Sequence, residues 1–343
     1  MGHKPCRSCG EGGYAERQNQ FNFQLLSFSH VKLNPNSCLS ATPVRVLGIL
    51  TMFTRKTVYD VNRMSGQKKA REVCNPGRHL RTIHGALRRS LAPLVSALAY
   101  SAGCRKGDSP RRRLLRHLGD VHFYLIDLKS AYRAVQLAPM ARILARISPS
   151  CLLPSADQSG QYNLPYLTEQ ESERWLLQYA FDDKFGGLMV GAPASPDLFN
   201  LYAGEMIDAP LSKLAARYGL RYSRYLDDLL FSAPADNPIG QKKRRAIRRI
   251  LTEVGFAVSD HKSRLWDIRK GPIVVNGVGL DVSGRFFVPG AFMRRLNGIA
   301  HLVRRRMLPI SNLGGLLGAV KNILSTQHLN RSQGKVLAAA AST

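Results

Sequence analysis

The sequence has no apolar run that approaches the ~20 residues of a membrane-spanning helix. Its longest candidate, 44–53, is interrupted by Arg45 and Gly48. The first residues lack the apolar core of a secretory signal, so we expect a cytoplasmic protein with no membrane partner. Only six cysteines occur among 343 residues, which is too sparse for a disulfide scaffold and suits a reducing compartment.

Two of these cysteines have half the spacing of a zinc site. Cys6 and Cys9 are separated by two residues, and His3 precedes them. No second pair follows at the spacing of a zinc finger, so a complete site would need Cys38 or a more distant residue. We therefore favour free thiols over a zinc site.

Acidic residues are scarce, since 23 aspartates and glutamates stand against 50 lysines and arginines, for a formal charge of +27. The basic residues recur along the chain, as in 111–113, 242–245 and 304–306, and are not gathered in one tail. A distributed excess favours a protein that lies along a polyanion, and nucleic acid is the first candidate. A ribosomal-type or membrane-surface protein would share this charge, so motifs must separate the classes.

The segment 221–233, RYSRYLDDLLFSA, contains two adjacent carboxylates in an apolar and aromatic run. Its strand-forming residues and flanking turn signals predict a tight β-hairpin with Asp227 and Asp228 at the tip. Neighbouring side chains on a strand point to opposite faces, so one acid of the pair can face a metal while the other turns away. A surface turn that carries two acids would explain the pair as well.

A second strand supplies a companion carboxylate. Residues 122–126 form a continuous apolar run that ends at Asp127, as in a central strand with an acid at its carboxyl end. Burial of a lone carboxylate is costly unless a partner or a metal offsets it. Asp127 is therefore the natural companion of the hairpin acids.

Basic residues cluster in the region before this strand. A hairpin with a turn at Ser65-Gly66 is predicted to present Lys69 and Arg71 on its returning strand, where they could grip phosphates or simply guard a solvated edge. An apolar stripe over 80–98 predicts a helix that Pro93 should kink or split. A short helix capped by Ser109 follows. We expect its arginines to contact nucleic-acid phosphates, although a solvated face is the alternative. They are Arg111, Arg112, Arg113 and Arg116.

The pattern is less regular after Asp127. Residues 138–184 suggest a finger insertion, and the acids Asp182 and Asp183 at its end predict a turn. A short strand, a Gly-Ala-Pro bend and a helix beginning near Ser195 are predicted next. Ser195 is not in a G-x-S-x-G elbow, which argues against a hydrolase nucleophile.

The last third predicts a basic amphipathic helix over 241–254 and a returning strand that contains Lys262. A β pair is predicted around the Asn276-Gly277 turn. Residues 291–325 predict two helical segments separated by Pro309, and the first of them is very basic. We expect two of its cations, Arg304 and Arg305, to bind nucleic acid.

Five motifs follow one another: Asp127, the segment GAPASPDLFN, the tetrapeptide YLDD, Lys262 and the segment VNGVGLDV. In this order and spacing they resemble a reverse transcriptase, in particular the bacterial class that contains retron, group II intron and phage-defence enzymes. The resemblance covers roughly residues 57–325 and includes a finger hairpin of pattern SGxxxxR that ends at Arg71. It is strongest to stand-alone, defence-associated reverse transcriptases.

The resemblance implies an α+β fold of the right-hand polymerase type, with an antiparallel palm sheet packed on helices. In this sequence the parts would be an N-terminal extension (1–54), fingers (55–118), a palm (119–285) and a short helical thumb with a tail (286–343). The palm would include the finger insertion.

The resemblance also implies roles for individual residues. Asp127 and Asp227 would bind two Mg²⁺ ions, with Mn²⁺ as an alternative, and Asp228 would support them. Such a pair of ions activates the attacking hydroxyl and neutralises the leaving pyrophosphate, and Mg²⁺ needs only hard oxygen ligands. Lys262 would protonate the pyrophosphate as a general acid. The nucleotide-binding set would be Lys69, Arg71, Ser130, Ala131, Tyr132, Val190 and Gly191.

Tyr132 stands five residues after Asp127, where reverse transcriptases place an aromatic steric gate. A ring packed under C2′ leaves no room for a 2′-hydroxyl, so the resemblance implies deoxynucleotide substrates. Tyr132 could equally be a core aromatic, or serve in both roles.

Several positions depart from the family's patterns. Val190, before Gly191, replaces the glutamine of many relatives. The retron pattern N-A-x-x-H is not met ahead of His117, and the retron V-T-G reads Val275-Asn276-Gly277. These two differences argue against a retron identity. Ser195-Pro196 argues against diversity-generating elements, and the lack of a maturase or endonuclease extension argues against intron mobility.

The favoured hypothesis is an RNA-directed DNA polymerase that copies a bound structured non-coding RNA into DNA from dNTPs in anti-phage defence. A non-catalytic RNA-binding protein on a polymerase scaffold is the second, motivated by the charge of +27 and by Val190. An RNA polymerase or a template-independent nucleotidyltransferase is the third. The RNA, the priming group, the product sequence and the oligomeric state are left open.

Overall fold

The structure, a computed structural model, describes residues 53–61, 68–103, 108–147, 167–309 and 311–324. All of them belong to one unit, Leu50–Thr343. Four sequence predictions lie wholly or largely outside these ranges: the N-terminal extension, the Cys6/Cys9 pair, the Ser65-Gly66 turn and the middle of the finger insertion. None of the helices in the described ranges is both long and apolar enough to cross a membrane.

The described chain begins with an antiparallel hairpin of β1 (Phe53–Val61) and β2 (Lys68–Pro76), as the sequence predicts. Helix α1 (Arg78–Ser96) follows, and its apolar stripe is buried. The expectation that Pro93 splits this helix is wrong. Pro93 lies in the last turn, so the lost hydrogen bond and the steric clash reach only the preceding turn, and the helix ends three residues later.

A five-stranded sheet forms the centre of the palm, in the order β3-β5-β6-β4-β7. Its strands are β3 (Ser101–Ala102), β4 (His122–Asp127), β5 (Arg221–Tyr225), β6 (Asp228–Ala233) and β7 (Arg264–Asp267). All neighbours are antiparallel except β3 and β5. β4 and β6 are interior strands with apolar, buried side chains, which explains the continuous apolar runs read from the sequence.

Helices pack around this sheet, and all except the first of them, whose buried Leu114 belongs to a second core, share one core with it. They are α2 (Pro110–Leu115), α3 (Leu137–Ile147), α4 (Glu169–Tyr179), α5 (Ser195–Ala203), α6 (Ala209–Arg217) and α7 (Gln241–Glu253). A π-helical turn, Gly204–Asp208, joins α5 to α6. Two of these helices begin where the sequence predicts, since Ser109 caps α2 and α5 begins at Ser195. The short strand expected before α5 is reduced to one bridge between Phe181 and Leu188.

A second core lies under a three-stranded sheet and the two C-terminal helices. The strands are β8 (Ile273–Val275), β9 (Val278–Leu280) and β10 (Phe286–Phe287), and the helices are α8 (Gly290–Arg304) and α9 (Ser311–Leu324). Pro309 separates the two helices as predicted. The expectation that Lys262 lies within a strand is wrong, because it occupies the turn before β7.

A buried polar network ties α2 to the palm sheet. The His117 ring lies between two serine hydroxyls, with Nδ1 2.6 Å from Ser232 Oγ and Nε2 2.7 Å from Ser223 Oγ. Ser232 donates in turn to the buried carboxylate of Asp120. Burial lowers the pKa of His117 from 6.5 to about 3, and nearby guanidinium groups, Arg113 first, add to the effect. The fold therefore holds this imidazole neutral.

This histidine should make the protein sensitive to mild acid. Above the ordinary pKa of 6.5, the His117 ring is neutral in both the folded and the unfolded protein. Below pH 6.5 the ring is protonated in the unfolded chain, whereas in the folded protein it stays neutral down to its pKa of about 3. Stability should thus fall by about 1.4 kcal/mol per pH unit below that point. Urea unfolding between about pH 7.5 and 5 measures the slope. His117→Gln should flatten it and His301→Gln, at an exposed site, should not; an unchanged slope in H117Q would contradict the argument.

Candidate active site

The three aspartates singled out in the sequence lie together at one end of the palm sheet. Asp127 and Asp228 stand directly opposite each other on β4 and β6. Asp227 lies in the turn between β5 and β6, and its carbonyl accepts a hydrogen bond from the Leu128 N–H at 3.1 Å. Leu226 enters this turn with a positive φ of 52°. The hairpin and the strand that carries Asp127 are therefore joined at the tip, as the sequence predicts.

The acids at the tip repel one another. Burial raises the pKa of Asp227, and the neighbouring Asp228 carboxylate raises it further. Burial also raises the pKa of Asp228, against a hydrogen bond from Asn276 and the charge of Arg113. A nearby cation stabilises the ionised form of such a buried carboxylate. This end of the sheet thus attracts positive charge.

Lys262 supplies one such charge. Its Nζ lies 2.8 Å from Asp127 Oδ1, and the two residues line a cleft together with Asp228, Asn276 and Arg113. The turn that carries Lys262 is held to β4, since the Ser259 N–H donates to the Asp127 carbonyl at 2.8 Å. The lysine thus lies close enough to the carboxylates to act on the same substrate, as its predicted role requires.

The residues present fit a hard divalent cation. Three carboxylates outnumber the lysine and the arginine beside them, and carboxylate oxygens are the ligands that Mg²⁺ prefers. Across the described ranges, however, no three acidic, histidine or cysteine side chains are arranged as a ready cation site. Asp127 is paired with Lys262, and Asp228 is paired with Asn276. Asp227 is left as the acid whose side chain is least engaged.

The expectation that Arg113 binds nucleic acid is wrong. Its side chain is 2% exposed and donates to Ser223 Oγ at 3.0 Å, to Asn276 Oδ1 at 2.6 Å and to the Asp228 carbonyl at 2.8 Å. Helix α2 points this arginine at the back of the hairpin that carries Asp227 and Asp228, and a buried charge must find such partners. The sequence alone could not show that this arginine is buried while its neighbour Arg112 is exposed.

The other predicted nucleic-acid contacts lie nearer the surface. Arg112 is exposed, whereas the Arg111 guanidinium lies over the Phe286 ring at 5.1 Å and is only half-exposed. Arg304 and Arg305 are exposed at the end of α8. Their role in binding nucleic acid stays a prediction.

The turn after β4 presents backbone donors beside the acids. Ser130 is exposed and has a positive φ of 47°. Within the described residues, the N–H groups of Ser130 and Ala131 donate to no protein acceptor, while those of Arg133 and Ala134 donate to the Ser130 carbonyl. Two adjacent free N–H groups can bind phosphate oxygens. The geometry is consistent with the predicted triphosphate cradle.

Tyr132 is held beside this turn. Its ring is half-buried and packs against Phe199 with centroids 5.2 Å apart. Its carbonyl accepts from the Leu188 N–H at 2.8 Å, and a Cβ at Gly187 would lie 2.5 Å from that carbonyl oxygen. Glycine is therefore required at position 187, and the Tyr132 ring is held against Phe199.

The remaining nucleotide-binding candidates lie where β2 meets the loop before α5. The Cys74 N–H donates to the Val190 carbonyl at 2.7 Å, and a Cβ at Gly191 would lie 2.6 Å from the Cys74 carbonyl. Gly191 thus allows β2 to approach the loop before α5 closely. Arg71 is exposed on β2, three residues from this contact, and Lys69 lies on the same strand.

Sequence reasoning missed two residues that support the hairpin. Arg224 is fully buried and pairs with Asp208 through two hydrogen bonds of 2.9 and 2.8 Å. The sequence indicates Asn276 as a turn residue and as a departure from a retron motif, but not that its amide reaches the Asp228 carboxylate, at 2.6 Å. Strand alternation offered a signal for Arg224, since it shares a face with buried Tyr222.

Residues 58–282 match the reverse transcriptase (RNA-dependent DNA polymerase) family. The chain is 25% identical to the Retron Ec86 reverse transcriptase of Escherichia coli, over 73% of this chain and 72% of that protein. It is 32% identical to the Retron Mx65 reverse transcriptase of Myxococcus xanthus, over 61% of this chain and 47% of the relative. These relatives favour a retron-type enzyme. The two motif differences, which argue against a retron identity, are therefore misleading.

Solved structures agree on the fold. Apo telomerase from Candida tropicalis matches with a TM-score of 0.50 and 12% identity, over 87% of this chain and 63% of that one. At this identity the likeness concerns the fold alone, and it supports the predicted α+β polymerase architecture. The region that matches the reverse transcriptase family, residues 58–282, contains Asp127 and Lys262 as well as the two hairpin acids, Asp227 and Asp228. The chain belongs to the reverse transcriptase family of RNA-dependent DNA polymerases.

Proposed function

We propose that this chain copies RNA into DNA from dNTPs by metal-dependent nucleotidyl transfer at Asp127, Asp227 and Asp228. The observation that carries the proposal is the junction of two interior strands, which brings acids about a hundred positions apart in the sequence to one end of the sheet. The residues beside them offer a lysine and two backbone N–H groups that have no acceptor in the part of the chain that the structure describes. This is the set of groups that phosphoryl transfer needs.

Asp127 and Asp227 would hold Mg²⁺, with Mn²⁺ as an alternative. Bound there, the metal would supply charge neutralisation at the reacting phosphate and a more acidic attacking hydroxyl. Asp228 would add negative charge beside them, in the cleft that it lines with Asp127 and Lys262.

The other residues would position the substrate. Ser130 and Ala131 would hold phosphate oxygens through their N–H groups, and Arg71 with Lys69 would reach them from the fingers. Val190 and Gly191 would border the nucleotide. Lys262 would stabilise the departing pyrophosphate and donate a proton to it.

A structured non-coding RNA is the proposed template, and DNA is the proposed product. The charge of +27 supports a polyanionic partner, and the relatives are named as retron reverse transcriptases. Arg112, Arg304 and Arg305 would contact its backbone. A role in anti-phage defence is proposed from the resemblance to stand-alone defence enzymes.

Primer extension tests the proposal directly. The full-length protein, an RNA template with an annealed primer, Mg²⁺ and dNTPs should yield DNA copied from the template. Omitting the template separates a template-independent nucleotidyltransferase, and replacing dNTPs with rNTPs separates an RNA polymerase. Tight RNA binding without incorporation would support the non-catalytic alternative and would overturn the proposal.

Tyr132→Ala should admit ribonucleotides, because removing the ring would open the space under C2′. We expect the preference for dNTPs over rNTPs, measured as the ratio of kcat/KM values, to fall by about tenfold or more, as for the loss of a packing contact worth 1–3 kcal/mol. Tyr132→Phe keeps the ring and should keep the preference. An unchanged ratio in Y132A would remove Tyr132 from the gate.

A further inference from the structure

A short chain of hydrogen bonds runs from the interior of the palm to one of the three acids. Arg113 Nη1 donates to Asn276 Oδ1 at 2.6 Å, and Asn276 Nδ2 donates to Asp228 Oδ2 at 2.6 Å. Arg113 Nη2 donates at 2.8 Å to the backbone carbonyl of Asp228 as well. The same aspartate is thus held at its main chain and at its carboxylate by two connected residues.

The chemistry of the partners sets the direction of this chain. A guanidinium can only donate, so the amide oxygen of Asn276 must face Arg113. The amide nitrogen therefore faces Asp228, where it can only donate to the carboxylate. The two neighbours therefore define which way the Asn276 amide points, whereas an amide without such partners could adopt either of its two flipped orientations.

Both residues are held firmly. Arg113 is fully buried, and Ser223 accepts from it at Oγ (3.0 Å) and at the backbone carbonyl (3.1 Å). Asn276 lies in the tight turn between β8 and β9, with φ of 48°, and Gly277 follows with φ of 82°. Asparagine tolerates this left-handed conformation better than most residues. The turn thereby presents the amide to the acid at no great backbone cost.

The two residues also mark the two motif differences read from the sequence. Arg113 stands four residues before His117, at the asparagine of the retron pattern N-A-x-x-H, and Asn276 replaces the threonine of V-T-G. Both changed positions meet in a direct hydrogen bond. A pair of departures that contact each other and end on the same carboxylate points to one joint role.

We propose that Arg113 and Asn276 form a positioning pair that holds the Asp228 carboxylate in its reactive orientation. The proposal rests on the proposed function, since it assigns a support to one of its three acids. Neither residue needs to touch substrate or metal. Arg113 fixes Asn276, and Asn276 fixes Asp228.

The sharpest test alters Asn276 and leaves the turn intact. Asn276→Gly removes the amide and keeps the positive φ, so the fold should persist. Asn276→Asp keeps the shape but places a carboxylate against Asp228. We expect kcat for dNTP incorporation to fall about tenfold in N276G and about a hundredfold in N276D, the range found when a group that orients a metal ligand is removed. KM for the dNTP should stay within about twofold, because no nucleotide contact changes.

The matched control is Val274→Ala, at an exposed site on the adjacent strand β8. It should leave kcat unchanged. Binding of Mn²⁺, followed by electron paramagnetic resonance, gives a readout independent of turnover; its Kd should rise in N276G and N276D and stay constant in V274A. The thermal midpoint of N276G should match that of V274A, which a purely structural role for Asn276 would not predict.

A double-mutant cycle with Arg113→Lys tests the pairing. If the two residues act through one carboxylate, N276G should cost little further activity in the R113K background. Additive losses, or a wild-type kcat and Mn²⁺ affinity in N276G, would overturn the pair. A wild-type protein that extends no primer would instead overturn the proposed function, and the Mn²⁺ measurement would still decide whether Asn276 supports the acid.

Discussion

Replacement of Asp227 with asparagine should reduce primer extension by about 10³-fold or more. Metal stabilisation of the reacting phosphate is worth several kcal/mol, and each 1.36 kcal/mol is about a factor of ten in rate. Among the three acids, Asp127 and Asp228 accept hydrogen bonds from neighbouring side chains. The carboxylate oxygens of Asp227 are therefore the most available to bind a metal ion. Asparagine preserves its size and removes its charge. Single-nucleotide incorporation under saturating Mg²⁺ measures the loss.

The matched control is Asp236→Asn, which removes the same charge from an exposed loop residue after β6. D236N should extend primers at the wild-type rate. RNA binding by D227N should be unchanged or slightly tighter, since a negative charge is removed from a site that faces a polyanion. Incorporation by D227N within about tenfold of wild type would contradict the assignment of Asp227 as a metal ligand.

Replacement of Asp208 with asparagine should lower the free energy of unfolding by about 3–5 kcal/mol. Arg224 is completely buried, and both of its hydrogen bonds to a carboxylate go to Asp208. Loss of the carboxylate charge leaves an uncompensated guanidinium in the core. Tyr222 also donates to Asp208, at 2.7 Å, so a second buried polar group would lose a strong acceptor. Urea unfolding followed by circular dichroism measures the effect.

The loss should reach the active site as well. Arg224 Nη1 donates to the Leu226 carbonyl at 3.1 Å, in the turn that leads to the hairpin acids. D208N should therefore lower kcat at temperatures where the protein is still folded. Glu253→Gln is the control, because its ion pair with Arg249 is on the surface and should contribute little. Equal stabilities of D208N and E253Q would show that the buried pair is not needed.

Local patterns determined much of this protein. The apolar runs of β4 and β6, the acids at their ends and the turn signals around them predict the hairpin and the central strand that carry Asp127, Asp227 and Asp228. The apolar stripe of α1 and the cap at Ser109 predict two helices that the structure contains, although α1 is not split at Pro93. These features follow from spacing within a few residues, where periodicity and capping act.

Tertiary structure decided what the same residue types do. Arg112 and Arg113 are adjacent and chemically identical, yet Arg112 faces solvent and Arg113 lies under the hairpin that carries Asp227 and Asp228, because a single 100° step along α2 turns it inward. Lys262 pairs with Asp127 across 135 residues, and Asn276 reaches Asp228 across 48. A sequence specifies the faces of its own elements, but which distant groups those faces meet depends on how the elements pack.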